Sequence, residues 1–278
     1  MNDVIQKGLL PDVETWLLED DLNRNFHYLR SLPTHPVELT LKIKSPLMVA
    51  GTDYFCTVFS FLGSDVSEVL ELERKQFSGA ETYTLKNKIP FNVAVTGERL
   101  ALNLLQHGSS IATWTNQFVQ LAGVTKILDT RKTTPGLRSL EKYAVRVGGG
   151  FNHRLGQTDL WMIKDNHKTC LGGLKGAFEF FQSQGTFYNN IIAEIHDLYE
   201  LNEAISLGIK HVMLDNFSPD QIREAVKLKA AGMTYEVSGG IRLDTVKNYL
   251  ISGVDALSVG SLTYSAPRVD VSLKYRSA

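Results

Sequence analysis

The sequence predicts an α/β fold: an N-terminal α+β sandwich-like domain followed by an open, incomplete α/β barrel of about six parallel strands. Two observations carry this. From about residue 120, short apolar runs alternate with amphipathic segments at helical spacing, the rhythm of parallel strands joined by helical crossovers. Successive runs then end in charged residues or in glycine-bearing turns, as if facing one polar rim. Six such units are too few to close an eight-unit barrel, so an open barrel is expected, with a doubly wound sheet as the other topology.

The first domain is expected over residues 1–115. VELTLKIKSPLMVAG alternates in part, and DYFCTVFSFLG and ETYTLKNKIPFNVAV read as further strand-like runs. VTGERLALNLLQHGSSIA has helical spacing, with Thr96 as N-cap and Glu98 in the first turn. The barrel, expected over 116–265, has strands ILDT (127–130), LWMIK (160–164), IIAEI (191–195), HVMLD (211–215), YEVSGG (235–240) and ALSVGS (256–261). Between them lie SLEKYAVRVG, LGGLKGAFEFFQSQG, LYELNEAISLG, SPDQIREAVKLKAAG and RLDTVKNYLISG as helices. Gly148, Gly208, Gly232 and Gly253 stand where glycines terminate helices. The tail, 266–278, alternates again and is expected to pack back on the first domain.

Composition excludes several classes. Among 278 residues, 29 basic side chains meet 30 acidic ones for a formal charge of −1, so a global nucleic-acid or anionic-membrane footprint is missing and any anion site must be local. Cys56 and Cys170 lie far apart with no CxxC spacing and read as packed thiols in a reducing compartment. The N-terminus is acidic without a long apolar stretch, and no run reaches the ~18 apolar residues of a membrane span. A soluble, cytoplasmic protein with no nucleic-acid or membrane partner is expected.

The chemistry gathers at the strand ends. Asp129-Thr130-Arg131-Lys132, Lys164-Asp165, Glu194, Asp215-Asn216, Ser238-Gly239-Gly240 and Gly260-Ser261 each follow or close an apolar run. A charge terminating a buried strand is costly unless it faces a polar cavity. GGGFNHR adds His153 and Arg154 to the same rim, and arginine offers a planar fork for carboxylates. The glycine turns leave backbone N–H groups open to a phosphate. Taken singly, each has a plainer reading: Arg131 and Lys132 as a solvated loop, Asp215 as a helix cap, Glu194 in a structural ion pair. His153, His167 and His196 match no metal-ligand spacing, so a transition-metal centre is not expected.

TRKTTPGLR, GGGFNHRLG, MIKDNH, MLDNF, EVSGGI and GVDALSVGSLT occur together in this order. In this the chain resembles the quinolinate phosphoribosyltransferases, the carboxylating nicotinate-nucleotide pyrophosphorylases of NAD synthesis, from about Gly97 to Leu273. The resemblance implies transfer from 5-phosphoribosyl 1-diphosphate to quinolinate with magnesium, giving nicotinate mononucleotide, diphosphate and CO2, by a homodimer at minimum. It implies a quinolinate clamp of Arg131, His153, Arg154 and Lys164 with Thr130 alongside, and Arg99 inserted into the neighbouring subunit's site. Lys132 then stands near the leaving diphosphate, and Glu194 and Asp215 near the ribose hydroxyls and magnesium, held through water. Ser238, Gly239, Gly240, Gly260 and Ser261 form the 5-phosphate site. The chain departs from the family pattern at Leu100, Ser110, Ile192 and Tyr264, and near residue 30, where NFHYLRSLPTHPVEL replaces a Gly-Asp-x-Thr segment.

Two other enzymes share these features. One is a related phosphoribosyltransferase of the molybdenum-transport-associated type acting on another aromatic acid. The other is a barrel enzyme using Lys164 as a Schiff-base nucleophile.

Overall fold

The structure, a computed structural model, describes residues 3–185 and 190–277. In chain order its helices are α1 (Asp3–Glu19), α2 (Phe26–Ser31), α3 (Thr52–Phe61), α4 (Phe91–Ala122), α5 (Arg138–Val147), α6 (Asp165–Cys170), α7 (Gly173–Gln184), α8 (Leu198–Ser206), α9 (Pro219–Lys227) and α10 (Ser261–Tyr264). Its strands are β1 (Pro36–Ile43), β2 (Leu47–Met48), β3 (Gln76–Phe77), β4 (Glu81–Thr84), β5 (Ile89–Pro90), β6 (Lys126–Leu128), β7 (Trp161–Ile163), β8 (Ile191–Ile195), β9 (His211–Asp215), β10 (Thr234–Ser238), β11 (Ala256–Ser258) and β12 (Val271–Ser277). Two compact units form: Met1–Trp114 with Ser139–Gly148 and Ala266–Ala278, and Thr115–Arg138 with Gly149–Ser265.

In the first unit β1 is the central strand. It pairs antiparallel with β12, from Val37 opposite Ser277 to Ile43 opposite Val271, and on its other edge with β4 and β5. Its alternation is plain: Val37, Leu39, Leu41 and Ile43 are buried, with the intervening side chains more open. DYFCTVFSFLG corrects the strand-like expectation, for it is helix α3. Phe55 and Phe59 on it are wholly buried, each contributing about 1.5–3 kcal/mol, and with apolar residues on nearly every side no amphipathic period shows.

Helix α4 also differs from expectation. It starts at Phe91, so Thr96 is internal rather than a cap, and its hydroxyl donates to the Asn92 carbonyl at 2.7 Å. Helix α5, placed by sequence in the barrel domain, belongs to the first unit. Its Leu140 and Glu141 are wholly buried there, and Glu141 meets His107 Nε2 at 2.8 Å.

The second unit is a six-stranded parallel sheet in the order β6-β11-β10-β9-β8-β7. Consecutive strands are neighbours except β6 and β7, which form the two edges and share no ladder among the described residues, so the barrel is open there. Into that opening runs GGGFNHR. Phe151 bridges Leu128, donating its N–H to the Ile127 carbonyl at 2.8 Å and accepting from Asp129 N at 3.1 Å. Gly149, with φ +89°, makes the turn into this segment; Gly148, expected to do so, keeps a helical bond to Ala144. Gly208, Gly232 and Gly253 have positive φ as expected.

Three further expectations change. RLDTVKNYLISG yields only a 3-10 turn, Val246–Tyr249. DNHKTC, not read as an element, is helix α6. Both cysteines are free, but only Cys56 is packed, its thiol pushed up to about 12 chiefly by burial; Cys170 is exposed.

Strand alternation sets the site. Ile163, Ala193, Ile195, Leu214, Tyr235, Val237 and Leu257 are wholly buried on one face of the sheet. The other face carries Met162, Ile192 and Met213, packed as an apolar cluster. Two residues further along each of these strands, on the same face, stand Lys164, Glu194 and Asp215.

Candidate active site

A cavity of about 600 Å³ opens at the C-terminal ends of the strands. Thr130, Arg131 and Lys132 line it beyond β6, and Lys164 beyond β7. Glu194, Asp215 and Ser238 line it at the ends of β8, β9 and β10. His153 and Arg154 join them from the segment that enters the sheet opening. These nine expected residues therefore meet in one place. Gly239, Gly240, Gly260 and Ser261 lie in the two turns beyond β10 and β11, outside the cavity wall. Arg99 lies exposed on α4 and is not among the residues lining the cavity.

The cationic side is anchored from below. Asp129, wholly buried, accepts from Asn152 Nδ2 at 2.6 Å and from His153 N at 2.8 Å. The Arg154 N–H donates to His153 Nδ1 at 2.7 Å, so in this arrangement the other ring nitrogen carries the proton, and it faces Glu236 at 3.3 Å. Glu236 also accepts from the Ser258 hydroxyl. The Arg154 guanidinium donates to the Gln157 and Leu160 carbonyls, both at 3.3 Å. Burial, and then the nearby Arg131 charge, push its pKa below the ordinary arginine value. Two guanidiniums that repel each other on one side of a cavity are the arrangement that an anion relieves.

The acidic side meets the cationic one at Lys164, whose Nζ donates to Glu194 Oε2 at 2.6 Å. Such a partner argues against the Schiff-base alternative, which needs an unpaired amine in apolar surroundings. His196 lies between the carboxylates, its Nδ1 3.9 Å from Asp215 and its Nε2 3.9 Å from Glu194 and 2.5 Å from Asp165. Asp165, Glu194 and His196 each offer a ligand atom, all within 4.8 Å of one another. Carboxylate oxygens suit a hard cation such as magnesium. Asp165 and His196 were not expected in this grouping.

Apolar and aromatic residues complete the cavity: Trp161, Met162, His167, Phe181 and Met213. Trp161 and Phe181 rings lie 5.4 Å apart, and His167 stands edge-on to Phe181 at 5.0 Å. Sequence reading weighed His167 only as a metal ligand and passed over the other four, together with Gln157, Ser258 and the supporting Glu236. The two-residue period of the strands identifies Met162, Met213 and Glu236 as inward-facing, two positions before the rim residues Lys164, Asp215 and Ser238. His167 and Phe181 come from helices and carry no such signal.

The turns beyond β10 and β11 are tightly built. Gly239 has φ +102°, and a Cβ there would sit 2.2 Å from Asn216 Oδ1. Asn216 N donates to the Ser238 carbonyl at 2.8 Å, tying the turn after β9 to that after β10. Beyond β11, the Thr263 hydroxyl donates to the Lys132 carbonyl at 2.7 Å, and a Cβ on Gly260 would sit 3.5 Å from the Lys132 side chain.

The family model of the quinolinate phosphoribosyl transferase C-terminal domain matches residues 111–274, more than half of the chain. The chain belongs to this family. Probable nicotinate-nucleotide pyrophosphorylase [carboxylating] of Bacillus subtilis is 39% identical over 85% of this chain and 82% of its own length. The human nicotinate-nucleotide pyrophosphorylase [carboxylating] is 36% identical over 94% of this chain and 90% of its own. Among solved structures, NadC from Streptococcus pyogenes superposes with a TM-score of 0.85 at 31% identity, covering 98% of both chains. The nicotinate-nucleotide pyrophosphorylase from Francisella tularensis gives 0.84 at 32% identity, covering 99% of this chain and 97% of its own. Family membership extends to the N-terminal half as well, since these matches span both units.

Proposed function

We propose that this chain transfers the phosphoribosyl group of 5-phosphoribosyl 1-diphosphate to quinolinate, with decarboxylation, giving nicotinate mononucleotide, diphosphate and CO2. The observation that carries it is the convergence of Arg131, Lys132, Arg154 and Lys164 on one cavity that Glu194 and Asp215 also line. Quinolinate is a pyridine with two adjacent carboxylates. At an effective dielectric of ~20, each charge pair near ~4 Å contributes about 4 kcal/mol before desolvation. Arg131, Arg154 and Lys164 supply that offset, with His153 and Thr130 beside them, and the Trp161–Phe181 wall suits a flat ring.

In the reaction the ring nitrogen attacks the anomeric carbon, the carbon–oxygen bond to diphosphate breaks, and its electron pair leaves with diphosphate. Lys132 stabilises the charge on that leaving group. Glu194 and Asp215 hold the ribose while its carbon becomes oxocarbenium-like. Positioning of nitrogen against carbon supplies much of the acceleration. The carbon–carbon bond to the adjacent carboxylate then breaks. The cationic ring nitrogen stabilises the electron pair left on the ring, and a solvent proton quenches it. Ser238, Gly239, Gly240, Gly260 and Ser261 receive the 5-phosphate on backbone N–H groups. Magnesium, when bound near Glu194, Asp215 and Asp165, offsets diphosphate charge.

We further assign the active form to a homodimer in which Arg99 of one copy completes the other's site; its exposure on α4 supports this. Two free thiols are consistent with a cytoplasmic setting. The test is incubation with quinolinate, phosphoribosyl diphosphate and magnesium, followed by chromatography for nicotinate mononucleotide, with nicotinate as a parallel acceptor. Product from quinolinate and none from nicotinate is expected. The reverse preference would remove the dicarboxylate reading.

A further inference from the structure

Lys168 stands one helical turn beyond Lys164, and its side chain is only 9% exposed. It is not among the residues lining the cavity. A buried ammonium is costly unless it is fully partnered. This one donates to the main-chain carbonyl of Glu194 at 3.1 Å and to both Glu200 carboxylate oxygens at 2.8 and 2.9 Å, and it lies 3.3 Å from Asp165. Glu200, in the first turn of α8, in turn accepts the His196 N–H at 2.9 Å. The turn from β8 into α8 is thus gripped at two backbone points, the Glu194 carbonyl and the His196 amide, through a single ion pair. Lys164 holds the Glu194 carboxylate while Lys168 holds its carbonyl, so two lysines four residues apart fix one acidic residue from both ends. An aliphatic side chain would fill the same space with less desolvation cost, but it could not hold the strand end.

We infer that Lys168 is a positioning residue for phosphoribosyl transfer: acting through the Glu194 carbonyl and the Glu200–His196 link, it sets where the Glu194 carboxylate stands in the cavity. The inference rests on the transferase reading above. It distinguishes the two substrates, because Glu194 belongs to the ribose side and the arginines to the acid side.

The test is steady-state kinetics and thermal unfolding of Lys168→Met, Glu200→Gln and the double variant beside the wild type. Lys168→Met should lower kcat about 10–100-fold, the usual range for a supporting residue. It should raise KM for phosphoribosyl diphosphate and leave KM for quinolinate within about twofold. Glu200→Gln should show the same split, and the double variant should be no worse than the poorer single one, since both cut the same link. A folded Lys168→Met with wild-type kcat and wild-type KM for phosphoribosyl diphosphate overturns the inference, as does an effect confined to unfolding temperature. If Lys168→Met does not fold, Glu200→Gln decides by the same criteria. A wild type that makes no product from these substrates removes the transferase reading and the inference together; a productive wild type with unaffected variants removes the inference alone.

Discussion

The Lys164 ammonium lies 2.6 Å from the Glu194 carboxylate, joining the ends of adjacent strands β7 and β8 across the mouth of the cavity. In the proposed reaction one partner faces quinolinate and the other the ribose, so the pair ties the placement of the two substrates together. Kinetic cycles of Lys164→Met, Glu194→Gln and the double variant should show a coupling of about 1–3 kcal/mol in kcat/KM. Additive losses would mean that the ion pair does not link the two halves of the site.

Arg131 and Arg154 crowd one side of the cavity, and burial together with Arg131 already disfavours the charge on Arg154. A bound dianion relieves that cost. Replacing either arginine by Met should remove about 2–5 kcal/mol of stabilisation, at least ~30-fold in kcat/KM for quinolinate. KM for phosphoribosyl diphosphate should move far less. Near-normal quinolinate kinetics in either variant would refute the clamp.

Arg99 makes a different kind of prediction, because its site of action lies on another copy. Arg99→Met and Arg154→Met homodimers should each be nearly inactive. Mixed after unfolding and refolding, they should regain about a quarter of wild-type activity, since half of the dimers are mixed and each has one intact site of two. No recovery in a mixture shown to exchange subunits would place Arg99 in its own subunit's chemistry or outside it.

Gly239 and Gly240 both have positive φ, yet they differ in surroundings. A Cβ on Gly239 meets Asn216 Oδ1 at 2.2 Å, whereas one on Gly240 meets nothing within 4 Å. Gly240→Ala should therefore cost about 1–2 kcal/mol in urea unfolding, the left-handed backbone alone. Gly239→Ala should cost more and should also raise KM for phosphoribosyl diphosphate, because the turns after β9 and β10 must part. Equal costs would contradict the contact.

Much of this site was legible because each barrel strand is a short apolar run that stops at a charge. IIAEI and HVMLD became strands at the expected residues, with Glu194 and Asp215 on the cavity. TRK and NHR were conspicuous as local positive charge in an almost neutral chain. What escaped has physical reasons. DYFCTVFSFLG, buried on nearly all sides, gives no helical period. RLDTVKNYLISG has helical spacing but keeps only one 3-10 turn. Lys168 falls in a stretch not read as an element, and only the distant Glu200 and the Glu194 carbonyl mark it as a held, buried charge. The aromatic wall needs Trp161 and Phe181 brought together across 19 intervening positions of chain, and no local pattern encodes that meeting.

The central claim is that the strand-end cavity is a dicarboxylate site, and the most direct measurement is difference density from crystals soaked in quinolinate. Both carboxylates should appear within hydrogen-bond reach of Arg131 and Arg154, with the ring against Trp161 and its nitrogen turned toward Glu194 and Asp215. Quinolinate bound elsewhere, or a cavity left empty at saturating ligand in crystals of active protein, would contradict the account.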